Sequence, residues 1–217
     1  MHLAALLSIA SFASIQAFDF YVLSQTFQPY FCTTGNFAGC NNPTDFMKTN
    51  LTIHGLWPNN NDGSYPSFCS DETLSQSTID QVGMDVINTY WPDVKTNYGT
   101  TFISNEWSKH GTCSDMAQLD YVNAAISLET QLGTPDIISS NVGSSAVGSQ
   151  IRAGYGGANM VALVCGSNGA LSEVRTCYEN TGSGPGNRIT CPQTILNEDS
   201  CAKKAGKKIT IYSFNDN

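Results

Sequence analysis

Short runs of apolar and β-branched residues predict five strands along this chain. The first covers residues 18–26, where alternation places Phe18, Phe20 and Val22 on one face of the strand. The other four predicted strands cover residues 51–56, 161–165, 171–178 and 209–214. Together they supply the strands of a sheet.

Apolar residues at helical spacing predict three helices. The first covers residues 79–90, and the second covers residues 102–110 with Gly111 as its C-cap residue. The third covers residues 119–129 and ends near Gly133. The helices and strands do not alternate regularly, which favours an α+β fold with a central, mainly antiparallel β-sheet flanked by helices.

Residues 1–17 are typical of a signal peptide. They contain no acidic residue, Lys or Arg, and their apolar run is too short to span a membrane. Ala17 is a small residue suited to cleavage, and a buried first helix is the alternative. Residues 18–217 contain no linker and no internal repeat, so we expect them to form a single domain.

Eight cysteines lie in the predicted mature chain, and an even number behind a signal peptide indicates disulfides in a secreted protein. Eight cysteines allow about 105 pairings, so the count does not choose among them. No Cys-x-x-Cys pair is present, and we therefore expect no metal site. Asn50 begins an N-glycosylation sequon whose use the sequence leaves open. We expect an extracellular or vacuolar–lysosomal protein.

The net charge of −8, with a pI of about 4.6, has the wrong sign for a general nucleic-acid-binding protein. A polyanionic substrate would have to be held by a few local contacts, or be met at low pH. The one basic patch consists of Lys203, Lys204, Lys207 and Lys208. A solvated loop before the last strand explains that patch adequately.

The two histidines of the predicted mature chain each lie in a dense motif, His54 in His-Gly-Leu-Trp-Pro and His110 in Glu-Trp-Ser-Lys-His-Gly-Thr-Cys. A helix would place Glu106, Lys109 and His110 at i, i+3 and i+4 on one face. Two imidazoles can transfer protons, and a lysine can stabilise negative charge on phosphoryl oxygens. A salt-bridged surface, or a Trp57 buried beside a satisfied histidine, would explain either motif alone.

Together, the two motifs resemble the active-site segments of the ribonuclease T2 family, which includes plant S-type and S-like ribonucleases. Further segments resemble the family in the expected order, namely residues 18–23, 65–69, 91–92 and 171–177. The resemblance implies an α+β fold stapled by disulfides. It also implies endonucleolytic cleavage of single-stranded RNA without metal or cofactor, giving 2′,3′-cyclic phosphates and then 3′-phosphates.

By motif position, the resemblance assigns four catalytic residues. His110 would accept the proton of the 2′-hydroxyl, and His54 would donate a proton to the leaving 5′-oxygen. Glu106 and Lys109 would stabilise the pentacoordinate transition state.

The resemblance also suggests where bases bind. Trp57, Asn59 and Tyr65 match a first base site, and Phe102 matches a second. Asn59 stands where some members have an Asp that contacts the base edge, which leaves base preference open. Asn105 stands where many members have a third, phosphate-binding histidine, and an amide carries no charge. Stacking on aromatic rings tolerates any base, so low base specificity follows.

Four disulfides follow from the resemblance, namely Cys32–Cys40, Cys69–Cys113, Cys165–Cys201 and Cys177–Cys191. Two rival functions share the same fold, namely an inactive storage or binding protein and a self-recognition determinant. All four catalytic residues are retained, which argues against inactivity. Self-recognition members of the family are typically basic, whereas this chain is acidic. We expect an active monomer without an obligate protein partner or a membrane association.

Overall fold

The computed structural model describes residues 18–166, 168–201 and 206–214. The predicted signal peptide, residues 1–17, lies outside these ranges, as do Lys203 and Lys204 of the basic patch. The predicted α+β class is confirmed, because an antiparallel sheet forms the centre of the fold and helices flank it.

The described residues form seven strands. They are β1 (Phe20–Thr26), β2 (Thr52–Asn59), β3 (Ser144–Val147), β4 (Ala162–Cys165), β5 (Leu171–Asn180), β6 (Pro185–Ile189) and β7 (Lys208–Ile211). The main sheet has the order β2-β1-β5-β4, with β6 also paired to β5, and every pairing is antiparallel. The strands β3 and β7 form a second, two-stranded sheet.

The described residues also contain α-helices of four to fifteen residues. They are α1 (Gln28–Phe31), α2 (Asp45–Thr49), α3 (Gln76–Val82), α4 (Met84–Tyr90), α5 (Thr101–Lys109), α6 (Gln118–Leu132), α7 (Asp136–Ser139), α8 (Gly148–Gly154) and α9 (Gln193–Leu196). Short 3-10 helices cover Ala38–Asn41 and Gly111–Cys113.

The strand β1 is buried along its whole length because it lies between β2 and β5. Tyr21 and Leu23 pack with α3–α6 on one face, whereas Phe20 and Val22 pack with the α9 side on the other. The predicted placement of Phe18 beside Phe20 is wrong. Phe18 precedes the strand, so its side chain does not follow the alternation of side chains between the two faces of β1. Its ring contacts Tyr21, with 4.8 Å between ring centroids.

The helix predicted over residues 79–90 is interrupted. Gly83 has φ +88°, which a helix interior cannot accommodate, and it separates α3 from α4. The side chain of Ser75 caps α3 by accepting the Thr78 N–H. The helix α6 ends as predicted, since Gly133 follows it with φ +62°.

Gly111 is not the C-cap residue that the sequence predicted for α5. His110 occupies the C-cap position, and Gly111 begins a 3-10 helix. A Cβ at residue 111 would lie 2.2 Å from Cε3 of Trp107. The glycine is therefore required for close packing against the indole rather than for an unusual backbone angle.

Four disulfides are present, in the same pairs that the family resemblance implied. Cys69–Cys113 joins the loop after β2 to the 3-10 helix that follows α5. Two hydrogen bonds reinforce this connection, from the Phe68 N–H to the Lys109 carbonyl and from the Cys69 N–H to Thr112 Oγ1. The loop that contains Tyr65 is thereby held near the end of the helix that contains Glu106 and Lys109.

Candidate active site

His54 lies at a bulge in β2. Ser24 of β1 pairs with Gly55, but the next residue, Gln25, pairs with Ile53, so His54 is the extra residue of β2. Bulges turn a side chain away from the ordinary pleat, and they are common near active sites. The Trp91 indole N–H donates to the His54 carbonyl at 3.0 Å, which fixes the bulged backbone. The imidazole remains about 30% exposed.

Two carboxylates face the His54 imidazole from different elements. Nδ1 lies 2.9 Å from Oε1 of Glu173 on β5, within hydrogen-bonding distance. Nε2 lies 4.0 Å from Oε1 of Glu106 on α5. The ring also contacts Phe102, with 5.5 Å between centroids. Nδ1 of His54 is therefore paired directly with Glu173, whereas Nε2 faces Glu106 without a direct hydrogen bond to it.

Glu106 connects the two motifs. It is 8% exposed, and its Oε2 accepts a hydrogen bond of 2.9 Å from the Trp57 indole N–H. Burial raises the pKa of the Glu106 carboxyl, against the opposing influence of His54, the Trp57 N–H and Lys109. A Cβ at residue 55 would lie 2.1 Å from Glu106 Oε2, so only glycine fits between the bulge and this carboxylate.

His110 has the opposite environment to His54. It is 5% exposed and stacks on Trp57, with 5.4 Å between centroids and 30° between planes. Burial, together with the charges of Lys109 and His54, lowers the pKa of His110 to about 3. Within the described structure its Nδ1 is buried without a hydrogen-bond partner. At neutral and mildly acid pH, this imidazole is therefore uncharged.

Lys109 supplies a cation next to His110. Its Nζ lies 5.7 Å from the centroid of the Tyr65 ring. Among the described residues, no carboxylate lies within salt-bridge distance of this ammonium group. An anion entering the site would therefore meet a lysine that is not already neutralised.

Two pockets open at the site. The first, called here the His54 pocket, has a volume of about 240 Å³, and its lining includes His54, Phe102, Asn105 and Lys95. The second, called here the His110 pocket, has a volume of about 490 Å³. Its lining includes His110, Lys109, Trp57, Asn59 and Tyr65.

The structure thus brings together every residue that the sequence pointed to for catalysis or base binding. Asn59 is buried, and its amide donates to the Trp57 carbonyl at 3.0 Å. Asn105 is exposed at the rim of the His54 pocket. Tyr65 is 51% exposed, so its ring is accessible to a stacking partner.

Glu173 and Arg175 also belong to the site, although neither was predicted from the sequence. The Arg175 guanidinium contacts both Glu173, at 3.0 Å, and Glu198, and it lies 5.2 Å from the Trp57 ring centroid. Burial alone would raise the pKa of Glu173, but the hydrogen bond and charge of His54 and the charge of Arg175 prevail and lower it to about 2. Glu173 is therefore ionised. The sequence signal that could have indicated these two residues was a carboxylate and a guanidinium two residues apart on one predicted strand, where they share a face.

The described residues contain no group of three or more His, Cys, Asp or Glu side chains arranged to hold a metal ion. None of the helices described here is long and apolar enough to cross a membrane.

Residues 18–191 match the model of the Ribonuclease T2 family. This chain belongs to the ribonuclease T2 family. It is 31% identical to the intracellular ribonuclease LX of Solanum lycopersicum over 216 residues, covering 93% of this chain and 87% of that protein. It is 35% identical to the extracellular ribonuclease LE of the same species over 127 residues, covering 56% of this chain and 54% of that protein.

The fold agrees with this membership. The structure of RNase NT in complex with 5′-AMP superimposes with a TM-score of 0.69 and 23% identity, covering 91% of this chain and all of that one. The ribonuclease T2 relatives are RNA-cleaving enzymes. They include one named extracellular and one named intracellular.

Proposed function

We propose that this chain is an endoribonuclease that cleaves single-stranded RNA by metal-independent transesterification. The observation on which this rests is the contrast between the environments of two imidazoles, His54 and His110. His54 is paired with an ionised carboxylate, whereas His110 is buried and uncharged. Concerted acid–base catalysis needs one protonated imidazole and one neutral imidazole at the same pH.

The pockets suggest how an RNA strand lies across the site. The nucleoside that provides the 2′-hydroxyl occupies the His110 pocket, where its base stacks on Trp57 and Tyr65. The nucleoside whose 5′-oxygen leaves occupies the His54 pocket, beside Phe102. Stacking is worth about 1–3 kcal/mol per base and accepts any base, so base specificity is low.

In the first step, His110 takes the proton of the 2′-hydroxyl, and the 2′-oxygen attacks the adjacent phosphorus. His54 gives a proton to the 5′-oxygen as its bond to phosphorus breaks. The products are a 2′,3′-cyclic phosphate and a free 5′-hydroxyl. Water then opens the cyclic phosphate to a 3′-phosphate, with the two histidines exchanging roles.

Lys109 stabilises the charge that builds up on the phosphoryl oxygens in the transition state. Glu106 is fixed by the Trp57 N–H, and its other oxygen lies 4.0 Å from His54 Nε2, so it contributes to the same stabilisation. Asn105 donates a hydrogen bond to phosphate without adding charge. The chain is acidic overall, so Lys109, Asn105 and the stacked bases supply the affinity for the polyanion.

An acid pH optimum follows from the requirement for a charged His54. We also propose that residues 1–17 direct the chain into the secretory pathway, and that residues 18–217 act there as one monomeric catalytic domain. The final location is then extracellular or vacuolar–lysosomal. Asn50 is a candidate glycosylation site, although its amide donates to the Phe46 carbonyl at 3.0 Å.

The test uses the purified, disulfide-intact protein in excess EDTA at mildly acid pH. A short single-stranded RNA and the matching 2′-deoxy oligomer are offered, and the products are identified by mass. Cleavage of the RNA alone, with a 2′,3′-cyclic phosphate end, supports the proposal. An RNA left intact by folded protein would instead favour the inactive storage or binding alternative.

A further inference from the structure

Glu173 and His54 meet across an intervening strand. His54 is on β2 and Glu173 is on β5, and β1 separates these two strands. Ser24, the β1 residue next to the bulge, has a small side chain whose Oγ lies 3.5 Å from Glu173 Oε2. The bulge and the small residue together allow an imidazole and a carboxylate to reach each other over β1.

We propose that Glu173 is the positioning residue for His54, which it orients so that Nε2 is the atom that gives its proton to the leaving 5′-oxygen. This inference rests on the proposed function and adds a residue to it. When a histidine donates from one ring nitrogen to a fixed acceptor, the other nitrogen becomes the one that exchanges protons. Nδ1 is 2.9 Å from Glu173 Oε1, which leaves Nε2 for catalysis.

The Glu173 carboxylate is itself held in place. Its second oxygen, Oε2, accepts from Arg175 Nη2 at 3.0 Å, and its side chain is only 17% exposed. Arg175 in turn pairs with Glu198 and lies over the Trp57 ring. The acceptor for His54 is therefore an ionised, immobilised group, as an orienting carboxylate must be.

Other charged groups lie near the His54 ring. Glu106 on α5 lies 4.0 Å from Nε2, but one of its oxygens accepts from Trp57. Arg175 lies behind Glu173, and Asp93 and Lys95 line the same pocket.

Two further groups near His54 are Asp93 and His110. The Asp93 carboxylate accepts from the Thr96 hydroxyl and from the N–H groups of Thr96 and Phe102. His110 lies beyond Trp57, where burial keeps it uncharged. Glu173 is thus the carboxylate with a direct hydrogen bond to the His54 ring.

The experiment compares two substrates that differ in their need for an acid. One is an RNA dinucleotide, whose 5′-alkoxide must be protonated to leave. The other is a nucleoside 3′-(4-nitrophenyl) phosphodiester, whose phenolate leaves without protonation. Glu173→Ala should lower kcat on the dinucleotide by about 10–100-fold, a part of the roughly 10²–10⁴ contributed by a positioned acid. KM and turnover of the aryl ester should change little.

Two conservative variants separate charge from geometry. Glu173→Gln keeps an acceptor but removes the charge, so the alkaline limb of the pH–rate profile on the dinucleotide should move down by about one pH unit. Glu173→Asp keeps the charge at a shorter reach and should recover part of the loss. The matched control is Glu179→Gln, an exposed carboxylate on the same strand, which should match the wild type on both substrates. Thermal unfolding checks that each variant is folded.

Equal losses on the two substrates would overturn the proposal, because they would assign Glu173 a purely structural role. Full activity of Glu173→Ala on the dinucleotide would also overturn it. Both of these results leave the proposed function intact. Wild-type protein that cleaves neither substrate would contradict the proposed function itself, and the role of Glu173 with it.

Discussion

The Trp57 indole N–H donates to Glu106 Oε2 at 2.9 Å, and this hydrogen bond joins the two histidine motifs into one site. Trp57 also stacks on His110 and lies edge-on to His54, with 5.1 Å between centroids. A single side chain therefore contacts a carboxylate and both imidazoles.

Replacing Trp57 by Phe keeps a stacking ring and removes the N–H. Glu106 then loses a hydrogen bond that lowers its pKa, so it takes up a proton at higher pH. We expect kcat to fall about tenfold and the acid limb of the pH–rate profile to move to higher pH. Steady-state kinetics between mildly acid and neutral pH would measure both effects. An unchanged acid limb would show that Glu106 does not need the indole.

Replacing Lys109 by Met removes the ammonium and preserves most of the side-chain volume. Because the lysine stabilises charge that forms only in the transition state, kcat should fall by about 10²–10³ while KM changes less. Lys48→Met is a suitable control, since Lys48 is exposed and pairs with Asp45 on α2. A loss confined to KM would indicate that Lys109 only binds the substrate.

The long-range parts of the site could not be predicted from the sequence. Glu106, Lys109 and His110 were predictable together, because helical periodicity fixes their spacing. Glu173 could not be predicted, because its contact with His54 depends on the strand order β2-β1-β5 and on a bulge. Local sequence patterns do not determine either of these features.

The backbone conformation at two glycines could not be predicted for a similar reason. The break at Gly83 lies inside a run of apolar residues with uniform helical spacing, so periodicity alone predicted one helix. At Gly111 the decisive factor was the tertiary contact with Trp107, whereas the sequence suggested a helix cap. In both cases a glycine had a role that only its surroundings define.

Buried Glu129 should make stability depend on pH. It is 1% exposed and accepts from the Gln25 amide at 2.8 Å, and burial raises its pKa from 4.5 to about 8. The folded state therefore binds this proton more tightly than the unfolded state. The contribution of Glu129 is fully present below pH 4.5 and is lost as the pH rises towards 8.

Glu129→Gln removes the titration and keeps a hydrogen-bonding amide. The variant should be close to wild type near pH 4.5, and more stable by about 2–4 kcal/mol above pH 8. Urea unfolding at several pH values would measure the difference. Parallel stability curves for the two proteins across this range would show that Glu129 does not titrate in the way its burial indicates.

Reduction of Cys69–Cys113 should abolish activity before the chain unfolds. The disulfide holds the Tyr65 loop beside the end of α5, where Lys109 and His110 lie. A Cys69→Ser/Cys113→Ser variant should therefore lose activity while its near-UV circular dichroism is largely retained. Removal of Cys165–Cys201, which packs in the buried cluster that includes Phe27 and Leu171, should lower stability more than turnover. Parallel loss of activity and tertiary structure in the Cys69–Cys113 variant would contradict this account.

The assignment of His54 as the acid and His110 as the base is tested most directly by assaying His54→Ala and His110→Ala separately. Each variant is offered the RNA dinucleotide and the 4-nitrophenyl phosphodiester. His110→Ala should lose about 10²–10⁴ in rate on both substrates, because both need the 2′-hydroxyl deprotonated. His54→Ala should lose a similar factor on the dinucleotide and retain most of its activity on the aryl ester. The reverse pattern, with His110→Ala active on the aryl ester, would contradict the assignment of acid and base.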